Sequence, residues 1–179
     1  MNYSTNILNE NNINYDWKTL YVGLKLGLIE SSDITDFAVE FLTSNPESNN
    51  QNIIQLAWGD NDIDYARILE NLIKDSNVND LFPGSDVWNF EKRKWRFGIL
   101  MYFKKIYQDD FGELLNKVAE VYADMEYPED MDSFINYLTP TDGYNPSLHS
   151  QEENTARLIN LFNMFLNKEK QYLKNNIEF

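Results

Sequence analysis

Carboxylates are the only reactive side chains this sequence supplies in quantity: 29 Asp and Glu stand against 15 Lys and Arg, a single histidine and no cysteine. The absence of Cys removes disulfides, thiolate metal ligands and thiol nucleophiles together. With His149 as the sole imidazole, metal sites built from two or three histidines cannot form within one chain, and HExxH is absent. A Ser–His–Asp arrangement would have to use His149, which lies in a Pro/Ser/Gln-rich connector where an exposed histidine without a role is the commoner case. The seven glycines form neither GxGxxG nor GxxxxGK[ST], so neither phosphate-cradling loop is available. Asp60-Asn61-Asp62-Ile63-Asp64 resembles the start of a calcium loop, but Tyr65 stands where the sharp turn needs Gly and Asn71 where a bidentate Glu is needed. Acids in a first helical turn, favoured by the helix dipole, are the better reading. No metal and no cofactor is expected. Paired carboxylates for glycoside chemistry are unspecific in such an acidic chain, because almost any fold brings two of them together.

The net charge of -14 repels nucleic acid and anionic membrane and attracts a cationic partner. It is unevenly spread. Residues 87–107 carry 6 basic groups and 1 acidic group, whereas residues 108–142 carry 10 acidic groups and 1 basic group. In the basic island, Trp88 to Phe97, aromatics alternate with Lys92, Arg93, Lys94 and Arg96, as stacking on bases would require. Four cations inside so acidic a chain make a poor polyanion site, and the ordinary reading puts Trp88 and Trp95 on a buried stripe with the cations snorkelling at its edge. The flanking acidic stretches are then available to neutralise the island within the molecule.

The elements that must position these groups are helical. The chain has 179 residues, 42% of them hydrophobic and 15% aromatic, which is one domain's length and enough apolar side chain for a core without staples. Residues 1–15 read as a flexible N-terminal segment and 16–175 as a single helical domain. Asp16 caps a first helix over 16–28, in which Gly23 and Gly27 are suited to the close approach of another helix. Ser31 or Ser32 caps a second, ending near Asn45-Pro46. Ile53 to Trp58, closed by Gly59, fits two helical turns, although a strand is also compatible. Helices then follow from Asp60–Asp62 to about Asp75, from Asp86 or Val87 to Tyr107, and from Asp110 to Pro128. Another covers Glu129 to Leu138, and the last covers Gln151 to Lys174. Tyr127, preceding a proline, is biased toward an extended conformation. No period-two alternation demands a sheet, so the fold is all-α: about eight helices packed as sequential antiparallel pairs, with a short α-solenoid as the alternative. No apolar run approaches bilayer length and the N-terminus lacks a basic n-region and an apolar h-region, so a soluble cytoplasmic protein without membrane contact is expected. The oligomeric state is not set by these features.

Glu120-Val121-Tyr122-Ala123-Asp124-Met125-Glu126-Tyr127-Pro128-Glu129-Asp130-Met131, followed by Phe134-Ile135-Asn136-Tyr137-Leu138-Thr139-Pro140, resembles the signature of the bacterial domain of unknown function 2247 family. There a "YADFDYPE" segment runs into "F-V-x-Y-M-P". Met125 and Glu126 stand where Phe and Asp are more usual, and Leu138-Thr139 interrupts the Met-Pro pair. The opening from Trp17 to Ile29 is similar too. The resemblance implies an all-helical bacterial protein without an established activity, from a family whose genes fit the profile of small immunity-type proteins beside secreted toxins.

Five carboxylates around one helix–helix corner cost repulsion that a purely structural corner does not require. Asp124, Glu126, Tyr127, Glu129, Asp130 and Asp132 are therefore the candidate partner-binding residues. The expected function is a non-enzymatic protein-binding module, in the manner of an immunity protein neutralising a basic, nuclease-like toxin. The alternative is an enzyme using Asp or Glu in an inter-helix cleft.

Overall fold

The structure, a computed structural model, describes residues 2–60, 62–75 and 80–176. Among these there are helices and no strand, in agreement with the all-α expectation. Contacts cluster into two compact units, Met1–Trp95 and Arg96–Phe179, and the division falls within one long helix.

The first unit contains α1 (Asn6–Glu10), α2 (Trp17–Lys25), α3 (Ser31–Ser44), α4 (Gln51–Trp58) and α5 (Tyr65–Asp75). The expectation of a flexible N-terminal segment differs from what is seen. Leu8 is fully buried, Ile7 and Ile13 nearly so, and the Tyr3 amide donates to the Leu28 carbonyl at 2.6 Å. Two apolar side chains on a single turn are too few to register as periodicity, yet they suffice to dock five residues. Asp16 caps α2 as expected: its carboxylate accepts from the Lys18 and Thr19 amides at 2.9 and 3.3 Å, and the Thr19 hydroxyl accepts from the Asp16 amide. The helix stops at Lys25 because Gly27 turns left-handed (φ 66°), so Gly27 ends the helix and only Gly23 serves a close approach. A Cβ on Gly23 would lie 2.6 Å from the Trp95 ring, whose indole N–H donates to the Thr19 carbonyl at 2.8 Å.

The N-cap of α3 is Glu30 rather than a serine. Asp33 fixes that start by accepting from the Glu30 amide at 3.2 Å and from the Thr5 amide at 3.3 Å. Residues 51–58 are helical, closed by left-handed Gly59, so the strand alternative falls. Asp60 and Asp62 precede α5 instead of opening it; Asp64 accepts from the Arg67 amide at the helix start. Helix α3 packs on α4, α4 on α5, and α5 returns against α2. Trp17 is only half-buried, edge-on to Phe37 at 4.7 Å.

Helix α6 (Asp86–Ile106) is buried without a break from Trp95 to Leu100, so this stretch has no solvent face and its apolar stripe widens to include Phe97 and Leu100. The second unit continues with α7 (Phe111–Asp124), capped by Asp110 through the Glu113 amide. Beyond Pro128 the expected helix to Leu138 is shorter and tighter: a 3-10 turn over Glu129–Phe134, which buries Met131 and Phe134 and ends at extended Ile135. A second short 3-10 turn, Pro146–Leu148, leads to α8 (Gln151–Asn175), whose capping box pairs Ser150 with Glu153. Helix α8 packs on α7 and on the first 3-10 turn, with the Phe134 ring against Phe162 and Phe165.

Candidate functional site

The candidate residues straddle the end of α7 and the 3-10 turn after it. Helix α7 stops by a Schellman motif: the Glu126 amide donates to the Ala123 carbonyl at 3.0 Å and the Tyr127 amide to the Tyr122 carbonyl at 2.9 Å. Glycine usually supplies the left-handed residue at such an end. Here Glu126 (φ 65°) and Tyr127 (φ 57°) do, at roughly 1–2 kcal/mol each for an L-residue. The expectation of an extended Tyr127 is thus corrected, because satisfying the last carbonyls of α7 outweighs the bias from Pro128. Compensation comes from the ring contact that typically accompanies this motif: Tyr127 meets Tyr122 edge-on at 5.3 Å.

Tyr122 is the buried centre of the corner. Its hydroxyl donates to Asp132 at 2.7 Å, a bond that lifts its pKa from 10.0 to about 12. Tyr137 approaches the same ring at 6.5 Å. Tyr127 and Tyr137 remain exposed, at 61% and 59%.

The carboxylates divide into two sets. Asp130 receives both terminal nitrogens of Arg96, at 2.7 and 2.8 Å, and Arg96 also donates to Glu169 at 3.1 Å. Arg96 and Glu169 are buried, so this arginine does not snorkel, and its buried Nε has no hydrogen-bond partner among the described residues. Asp132 is engaged by Tyr122. Asp124 and Glu129, at the end of α7 and the start of the 3-10 turn, are exposed with no ion pair or hydrogen bond from their side chains among the described residues. Glu126 is exposed as well. The corner therefore presents two tyrosine rings and the carboxylates Asp124 and Glu129. Asp130 and Asp132 hold it together.

Sequence reasoning missed Tyr137, which it placed on a continuing helix, and the buried acids Glu91 and Glu169. Glu91 accepts from the Thr19 hydroxyl at 2.5 Å and from Lys94 at 2.9 Å. It also gave no role to His149, which stacks on Tyr144 at 4.6 Å with Nδ1 3.8 Å from Glu153. Arg157 lies over the same Tyr144 ring at 4.3 Å and donates to Asp142 at 2.5 Å, holding that carboxyl below its usual range. The loop before α8 is thereby fastened to the helix.

A groove of about 630 Å³ runs along α7 and α8, lined by Phe111, Thr155, Ala156, Ile159 and Asn163 among others, with Glu152 as its one carboxylate. Among the described residues no group of three or more His, Asp or Glu side chains could hold a metal ion. No helix among them is long and apolar enough to cross a membrane.

Chain order and the Schellman corner define an all-helical protein with an acidic, tyrosine-bearing turn after α7. It belongs to the family described as an uncharacterized protein conserved in bacteria, DUF2247, whose model matches residues 5–170. No curated protein and no solved structure matches the chain.

Proposed function

We propose that this protein is a non-enzymatic, cytoplasmic binding module that neutralises a basic partner, in the manner of an immunity protein holding a nuclease-like toxin, through the corner after α7. One observation carries the reading: Tyr127 and Tyr137, both against the Tyr122 ring, are more than half exposed, and Asp124 and Glu129, which flank Tyr127 in the chain, are exposed carboxylates that no cation among the described residues neutralises. Exposed aromatics supply contact area at low entropic cost and dominate interface energies, while unpaired carboxylates steer a cationic partner and accelerate its association. An inhibitor of a basic nuclease gains from both, because its charge competes for the cleft that would hold phosphates. The carboxylate-enzyme alternative has less support: the groove along α7 and α8 has a ligand site's volume, but Glu152 alone does not make an acid–base pair.

The test is affinity capture from the bacterial host by the wild-type protein and by a Tyr127→Ala/Asp124→Asn/Glu129→Gln variant, with captured proteins identified by mass spectrometry. The expected result is a protein of high isoelectric point retained by the wild type and lost from the variant, with an association rate that falls as salt is raised. Capture of an acidic partner, or of a basic one equally well by both forms, would overturn the reading.

A further inference from the structure

We infer that the exposed face of Tyr127 and Tyr137 is a docking site for an arginine side chain of a basic protein segment. The inference rests on the proposed function for the basic character of the partner, and adds which side chain is recognised and by what.

The second unit contains two arginines, and each takes the same surroundings. Arg157 lies 4.3 Å from the centre of the Tyr144 ring while donating to the Asp142 carboxylate. Arg96 lies 5.1 Å from the centre of the Phe165 ring while donating to Asp130 and Glu169. A ring face with a carboxylate beside it is thus the environment in which this unit seats a guanidinium. The corner supplies the same two ingredients: the exposed rings of Tyr127 and Tyr137, both against Tyr122, and the exposed carboxylates Asp124 and Glu129, which flank Tyr127 in the chain. No cation among the described residues lies over either ring. Lys117, the one lysine of α7, is held by Glu113 and Glu120.

Arginine fits this set better than lysine. A guanidinium is planar and weakly hydrated, so it stacks on a ring face while its edge donates to a carboxylate; an ammonium is a compact, strongly hydrated point charge that does not offer both at once. The Tyr127 ring is also held before any partner arrives. Tyr127 is placed by the Schellman end of α7 and by its contact with Tyr122, whose hydroxyl is fixed by Asp132. An incoming arginine therefore loses its own freedom but little of the protein's. Charge complementarity supplies the approach, since Asp124 and Glu129 are exposed carboxylates that no cation among the described residues neutralises.

The experiment compares two peptides of equal charge, acetyl-Gly-(Arg-Gly)4-amide and its lysine counterpart, by calorimetric titration of the full chain at low and high salt. The arginine peptide is expected to bind about two- to fivefold more tightly for each stacked cation. That preference should persist at high salt, where the charge-driven affinity common to both peptides falls. Tyr127→Ala/Tyr137→Ala should abolish the preference while leaving the lysine peptide's affinity unchanged, and Tyr127→Phe/Tyr137→Phe should retain it. Tyr137→Ala alone, at an exposed position with ordinary backbone, keeps the test decisive if substitution at the strained Tyr127 prevents folding. Equal affinity for the two peptides, or a preference unaffected by Tyr137→Ala and by the double variant, would overturn the inference. The outcome is separable from that of the proposed function. A basic host partner lost with the carboxylates but indifferent to the tyrosines removes the arginine site alone. An arginine preference mapped to the tyrosines, with no basic partner captured from the host, removes the proposed function alone.

Discussion

Glu129 and Asp130 are adjacent in the chain, both acidic and both in the first turn of the same 3-10 segment, and the fold uses them in opposite ways. Asp130 takes a bidentate pair from a buried arginine, while Glu129 is exposed and has no partner among the described residues. The same division separates Asp132, bonded to Tyr122, from Asp124, bonded to nothing among the described residues. A run of acids in a sequence therefore overstates the charge on offer to a partner. What remains available is the part that the protein's own cations and hydroxyls leave over, and each set should respond differently to substitution.

The largest effect belongs to the internal set. Arg96→Met removes the cation shared by Asp130 and Glu169, and Glu169 is buried to 2% exposure. Breaking a buried pair from one side typically costs about 3–5 kcal/mol, and urea unfolding should show a loss of that order. Adding Glu169→Leu to Arg96→Met should restore much of it, since a buried pair replaced by apolar groups is often neutral. Asp130→Asn should cost less, about 1 kcal/mol, because that carboxylate is partly solvated. If Arg96→Met proves as mild as Asp130→Asn, the internal set is not a structural one and the comparison breaks.

Next in size is Gly23→Ala, which tests the packing behind the basic island rather than the corner. The new methyl would meet the Trp95 ring at 2.6 Å, and that ring is fully buried and tied to the Thr19 carbonyl. Overpacking should cost about 1–3 kcal/mol, partly offset by the roughly 1 kcal/mol that alanine contributes over glycine within a helix. Gly27→Ala would meet nothing within 4 Å but would be strained by its left-handed backbone, so it should destabilise for a different reason. Thermal unfolding of both variants checks the pair.

What the sequence made legible was local. Asp16 and Asp110 cap helices because a carboxylate two or three residues ahead of free amides needs no distant partner. Gly59 closes α4 on the same ground. The acidic corner itself was visible as a motif. Its division was not, because Asp130 depends on Arg96, 34 residues away, and Glu169 on the same arginine from 73 residues away. Glu91, matched to Thr19 across 72 residues, was hidden for that reason too. Tyr137 escaped because a helix was expected to run to Leu138, whereas the segment after Pro128 is a 3-10 turn that ends at Phe134. The N-terminal helix α1 escaped because five residues are too few for a period to show.

Smaller than the packing effects is that of Tyr122→Phe, which removes the bond to Asp132 and leaves the ring in place. It carries a pH signature. The folded-state pKa of Tyr122 is raised from 10.0 to about 12, chiefly by that hydrogen bond, so the proton is held more tightly in the folded protein. The stability it contributes is complete below pH 10 and is lost as pH rises toward 12. Wild type should therefore exceed Tyr122→Phe in stability at neutral pH, and the gap should close between pH 10 and 12. A gap that stays constant over that window would show that the hydroxyl does not hold the corner.

The smallest effect on stability, and the most telling for function, is expected of Asp124→Asn/Glu129→Gln. Neither side chain has an internal partner among the described residues, so folding should change by less than about 0.5 kcal/mol for each. The direction should be upward at low salt, because two of the ten carboxylates between residues 108 and 142 are neutralised and their mutual repulsion is relieved. Raising the salt screens that repulsion in the wild type and should erase the difference. Association with a basic protein should show the reverse pattern: a slower on-rate for the double variant at low salt, converging with wild type at high salt, and little change in the off-rate. Asp130→Asn provides the contrast, lowering the melting temperature through the loss of Arg96's partner. If Asp124→Asn/Glu129→Gln lowers the melting temperature as much as Asp130→Asn does, then the corner has no unspent charge, and a surface that steers cations must be sought elsewhere on the molecule.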